Sequence, residues 1–105
     1  MKSLLKTLAI SLALLSVHAW AADIQIEIKE HVFTPANINV KAGTKVTWIN
    51  RDADPHTVLE KDRKFHSSAL DTGDDYSFTF TTAGTYNYFC TLHPTMLGTV
   101  TVTGD

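Results

Sequence analysis

From Ile24 onward the apolar residues of this chain fall on every second position, in short runs broken by turn residues. Ile24, Ile26 and Ile28 alternate with Gln25, Glu27 and Lys29, and Val46 and Trp48 alternate with Lys45 and Thr47. Phe78 and Phe80 alternate with Ser77 and Thr79, Tyr86 and Tyr88 keep the same period, and Val100 and Val102 end it. A period of two over short runs belongs to strands with one face buried. Ala42-Gly43, Asp52 to Pro55, Asp71 to Asp74, Ala83-Gly84 and Gly98 read as turns, and no useful window carries a helical period. Short strands that must each cover a face predict an all-β, antiparallel Greek-key sandwich or small barrel of about seven to eight strands. The long irregular stretch 61–75 is expected to cross from one sheet to the other.

The first 21 residues stand outside this pattern. Lys2 and Lys6 precede an apolar run from Leu8 to Val17, and Ala19-Trp20-Ala21 follows with small residues where a signal peptidase reads. This predicts a secretory leader over 1–21 and a single folded domain over 22–105. The run is short of the roughly 20 residues that span a bilayer. The reading is a soluble, monomeric protein exported to a bacterial periplasm, with no membrane span. Without Lys2 and Lys6 the chain has 7 basic and 11 acidic residues, a formal charge of −4. That balance argues against nucleic acid, which calls for a basic stripe.

Cys90 is the only cysteine. A lone thiol in an oxidising compartment is prone to oxidation or to pairing between chains, so something must protect it. The surrounding segment, Cys90-Thr91-Leu92-His93-Pro94-Thr95-Met96, places a thiolate, an imidazole and a thioether at i, i+3 and i+6 between two strands. A loop of that length can turn all three toward one centre. His56, which follows the turn Asp52 to Pro55, is the natural fourth donor. Two histidines, one cysteine and a weak methionine make the donor set of blue-copper electron-transfer sites. The predicted metal ligands are therefore His56, Cys90, His93 and Met96, around one copper ion cycling between Cu(I) and Cu(II).

That loop resembles the ligand loop of plastocyanin-like cupredoxins, and its short spacing is most like that of the amicyanins. Phe33-Thr34-Pro35, Gly43, Val46-Thr47-Trp48-Ile49-Asn50, Pro55-His56-Thr57-Val58, Phe78-Thr79-Phe80 and Ala83-Gly84-Thr85-Tyr86 are similar in order and spacing. The resemblance implies supporting roles. Asn50 would tie the two ligand segments together, with Thr91 as its partner, and Pro55 would stiffen the His56 loop. His93 would be the exposed ligand, collared by Leu92, Pro94, Leu97, Pro55 and Ala53 as a docking surface for a redox donor and acceptor. Leu92 departs from the amicyanin pattern, which has proline there. Its N–H is expected to give the Cys90 sulfur a second backbone hydrogen bond and raise the potential. Thr95 also departs, standing where an aromatic is usual, so no particular partner carries over.

The same ligands would equally serve copper storage, delivery or homeostasis. A metal-free sandwich with a merely buried Cys90 is a third possibility. Four protein ligands leave no open position for a substrate, and no nucleophile–base pair is present, so the chain reads as a carrier and not an enzyme. His31 and His66 have no second ligand at a suitable spacing and read as surface residues, as does the basic cluster Lys61, Arg63 and Lys64. Trp48 and the other aromatics read as core.

Overall fold

A computed structural model describes residues 22–104, so the predicted leader lies outside the described residues. The described residues form eight strands: β1 (Asp23–Lys29), β2 (Val32–Thr34), β3 (Asn37–Lys41), β4 (Thr44–Asn50), β5 (Leu59–Glu60), β6 (Asp75–Phe80), β7 (Gly84–Phe89) and β8 (Leu97–Thr103). They build two four-stranded sheets, in the orders β2-β1-β4-β6 and β3-β8-β7-β5. The chain changes sheet between β2 and β3 and at each later connection until β7. The result is the expected all-β Greek-key sandwich. It is not purely antiparallel, because β1 runs parallel to β4 and β3 parallel to β8. Alternation along a strand reports which face is buried, and the direction of the neighbour leaves no mark on it.

The alternating residues supply the core. Ile26, Ile28, Val46 and Trp48 face inward from one sheet, and Val40, Tyr86, Tyr88, Val100 and Val102 from the other. Trp48 meets Tyr88 edge-to-face, with ring centroids 5.3 Å apart. Segment 61–75 does cross between the sheets, and it adds to the core as it goes. Phe65 and Leu70 are buried, and Phe65 lies against Trp48 at 5.5 Å. The loop after β5 wraps around the buried Glu60 carboxylate, which accepts the N–H groups of Asp62 and Lys64. Lys61, Arg63 and Lys64 themselves are exposed, as read.

Gly98, read as a turn, lies inside β8. It is required there by close approach, because a Cβ would run into the Tyr88 ring opposite it.

The parallel pairing of β1 with β4 decides what gathers at one end of the sandwich. Both strands finish at the same pole, with Ile28 level with Asn50. The two-residue turn Glu30–His31 therefore lies beside the turn that follows β4. Both turn residues have left-handed φ values, 53° and 59°, the geometry that suits a tight hairpin. Cys90 follows β7 and Met96 precedes β8, so the Cys90–Met96 loop caps the same pole.

Candidate metal centre

Three donors converge at this pole. The Cys90 sulfur lies 3.6 Å from His56 Nδ1 and 3.7 Å from His93 Nδ1. Bonds of about 2.0 Å from nitrogen and 2.3 Å from thiolate span such separations when opened as in a trigonal or tetrahedral site. The three residues fit a single transition-metal ion, and a thiolate with two imidazoles suits copper. Cys90 and His56 are fully buried and His93 is half-buried. Met96 is also buried, in the same apolar cluster as Cys90.

Local hydrogen bonds hold each piece. In the loop, Cys90 N–H donates to the Met96 carbonyl, His93 N–H to the Cys90 carbonyl, and Met96 N–H to the His93 carbonyl. Two successive turns thus fold the seven residues back on themselves. His56 is not part of a strand. It forms an isolated bridge with Leu70, its N–H donating to the Leu70 carbonyl at 3.1 Å and its carbonyl accepting at 2.7 Å.

Asp52 sets the His56 ring. Its carboxylate lies 2.8 Å from His56 Nε2. A carboxylate only accepts, so that nitrogen carries the proton and Nδ1 offers its lone pair toward the sulfur. The same carboxylate accepts the N–H groups of Glu30 at 2.6 Å and His31 at 2.9 Å. Burial works to raise the Asp52 carboxyl, but the hydrogen bonds from His31, Glu30 and His56 outweigh it and hold the group below its usual value.

Two expectations are corrected here. Asn50 does not reach Thr91. Fully buried at the end of β4, its amide turns back to donate to the Leu70 and Asp54 carbonyls, each at 2.8 Å, and its oxygen accepts the Asp52 N–H. It shapes the His56 turn from within. The tie between the two segments is Thr57, whose hydroxyl accepts the Thr91 N–H at 2.8 Å. Among the described residues, the backbone donor to the Cys90 sulfur is also Thr57, at 3.3 Å, and not Leu92. The turn from Cys90 to His93 leaves Leu92 on its outer side, 51% exposed.

His31 is exposed, as expected, but it does have donor neighbours: its ring lies 4.4 Å from that of His93 and 5.2 Å from that of His56. Its Nε2 meets the Asp54 carboxylate at 2.8 Å. His66 is exposed and joins none of the donor groups. Pro55 is exposed just before His56, and Leu92, Pro94, Leu97 and Ala53 are exposed too. A signal for Thr57 was present in the sequence: a threonine follows each of His56 and Cys90. His31 had none.

The cupredoxin-like domain family matches residues 4–102. The chain belongs to that family. It is 39% identical over 84 residues to amicyanin of Paracoccus denitrificans, an alignment covering 75% of this chain and 64% of the relative. It is also 39% identical over 84 residues to plastocyanin of Scenedesmus fuscus, covering 68% and 86%. A purple cupredoxin from Nitrosopumilus maritimus has the same fold, with a TM-score of 0.73, 34% identity, and coverage of 76% of this chain and 99% of the other. No helix among the described residues is long and apolar enough to cross a membrane.

Proposed function

We propose that this cupredoxin is an exported, monomeric, single-copper electron carrier. The reading takes His56, Cys90 and His93 as the principal ligands and Met96 as a weak fourth. It takes 1–21 as a cleaved leader and 22–105 as the working domain, acting in a periplasm between a redox-protein donor and acceptor. The observation that carries it is a fully buried thiol set between two imidazole nitrogens at 3.6 and 3.7 Å. Copper held there would supply a one-electron Cu(I)/Cu(II) couple.

The protein's own residues do the rest. Asp52 fixes the tautomer and angle of His56. The Thr57 N–H donates to the Cys90 sulfur and draws charge from it, which favours the electron-rich reduced state. The two turns of the Cys90–Met96 loop hold His93 against rearrangement. Half-buried His93 offers electrons a short way out, through a surface carrying Leu92 and Leu97, which are 51% and 65% exposed. An apolar rim around a ligand edge suits brief docking of another protein. A site with four protein donors leaves no position for substrate, which supports a carrier and not an enzyme.

Copper(II) added to the metal-free protein is expected to give an intense visible thiolate band at one ion per chain, and Cys90→Ser is expected to lose it. Reversible one-electron voltammetry then separates a carrier from a copper store. A colourless wild-type protein overturns the reading.

A further inference from the structure

A second donor set lies on top of the first and shares a residue with it. One ligand atom each from His31, Asp54 and His93 lies within 4.8 Å of the others, as holds for His56, Cys90 and His93. The outer set faces solvent: the side chains of His31 and Asp54 are 48% and 58% exposed. We propose that His31, Asp54 and His93 form a loading site that captures copper(II) from solution and passes it to the buried set. The proposal rests on the reading of the buried set as the copper site.

Three observations carry it. The first is donor chemistry. Two imidazoles and a carboxylate are suitable ligands for a divalent transition metal, and without a thiolate the outer set is the weaker holder of copper. The second is that His31 is held in place. Both residues of its turn adopt a left-handed backbone, which is uncommon outside glycine, and the Asp52 carboxylate pins the turn through both N–H groups. The ring is thereby kept over His93 with its Nε2 beside Asp54. The third is the shared ligand. An ion on the outer set reaches the inner one by exchanging His31 and Asp54 for His56 and Cys90 while His93 holds on. The Cys90 thiol releases its proton to solvent as the sulfur bonds. Asp54 then returns to its hydrogen bond with His31. Asp52 lies behind the outer set and adds a negative charge that favours a cation. Its own oxygens are taken by backbone and by His56.

The test is stopped-flow uptake of copper(II), as copper sulfate, by the metal-free mature protein, read by the thiolate absorption. His31→Asn keeps a residue that tolerates the left-handed turn. Asp54→Asn keeps size and removes the carboxylate, whose one side-chain hydrogen bond is to His31. Both variants are expected to reach the wild-type final absorbance, but with uptake slowed about tenfold or more. Wild-type samples frozen before the colour develops are expected to show a nitrogen- and oxygen-ligated copper(II) resonance that the variants lack. Uptake at the wild-type rate in both variants overturns the loading site. If wild-type protein develops no thiolate band, the buried-site reading fails instead. Melting of the metal-free variants checks the turn, and Asp54→Asn decides alone if His31→Asn unfolds it.

Discussion

The hydroxyl of Thr57 and the backbone N–H of Thr91 meet at 2.8 Å, and the two threonine hydroxyls lie a further 2.8 Å contact apart. Each threonine is one residue beyond a proposed ligand, His56 or Cys90. This bond spans 34 residues of sequence and closes the two ligand segments against each other. Thr57→Val is expected to destabilise the metal-free protein by about 1 kcal/mol, the usual net worth of one hydrogen bond. The Thr57 hydroxyl is also 3.8 Å from the Cys90 sulfur, so its removal leaves more charge on sulfur. The reduction potential of the copper form is expected to fall, as voltammetry will read. The thiolate colour is expected to survive, because the Thr57 backbone donor remains.

Asp52 joins His56 to the Glu30–His31 turn through one carboxylate. Asp52→Asn puts an amide where three donors converge and removes the charge that fixes the His56 tautomer. Copper affinity is expected to fall about 10- to 100-fold, the range seen when a partner of a ligating histidine is lost. Competition titration against a chelator measures it.

Tyr88 is the proton-linked group of the core. Burial pushes its phenol up to about 12, and the nearby Trp48 indole N–H pulls only weakly the other way. The two groups do not reach hydrogen-bonding geometry, and both polar atoms are buried without a partner. A folded pKa above the unfolded one gives stability that is complete below about pH 10 and is lost as pH rises toward 12. The shift corresponds to roughly 2–3 kcal/mol at most. Tyr88→Phe is expected to remove this alkaline loss. It is also expected to gain about 1 kcal/mol at neutral pH, since no unpaired hydroxyl is then buried. Denaturant melts of both proteins from pH 7 to 12 check the two effects.

Gly98 faces the same ring from β8. Gly98→Ala is expected to cost about 1–3 kcal/mol or more, since the added methyl overlaps a side chain that fills the centre of the core. A lowered melting temperature, with the copper spectrum unchanged, is the expected result. Unchanged stability would mean that Tyr88 is free to move aside.

The strands that alternate cleanly were legible in the sequence, because burial on one face writes itself into every second residue. Val46 and Trp48 of β4 are examples, and so are Tyr86 and Tyr88 of β7. The short strands β2 and β5, of three and two residues, are below the length at which a period exists. The proposed ligands were legible for a related reason. Cys90, His93 and Met96 are close in sequence, so their spacing alone constrains where they point. His31 was not legible. It comes near His93 because β1 and β4 run parallel, and strand direction leaves no trace in a hydrophobic pattern. The tie between the two ligand segments, expected from Asn50, is made by Thr57, and the reason it was not legible is subtler. Both are polar residues near His56, and only the direction in which each side chain leaves the backbone separates them.

The hairpin tip that carries His31 is built almost wholly from backbone: two left-handed residues, two N–H groups and an acceptor supplied from elsewhere. The side chain at the tip is exposed and adds nothing to the core. The architecture thus separates two kinds of change. The polypeptide framework around the metal can stay constant while one outward residue is exchanged, and with it the chemistry that first greets whatever approaches. A protein engineer gains an exchangeable position at the mouth of the site, best filled by residues such as Asn, Asp or Gly that accept its left-handed backbone.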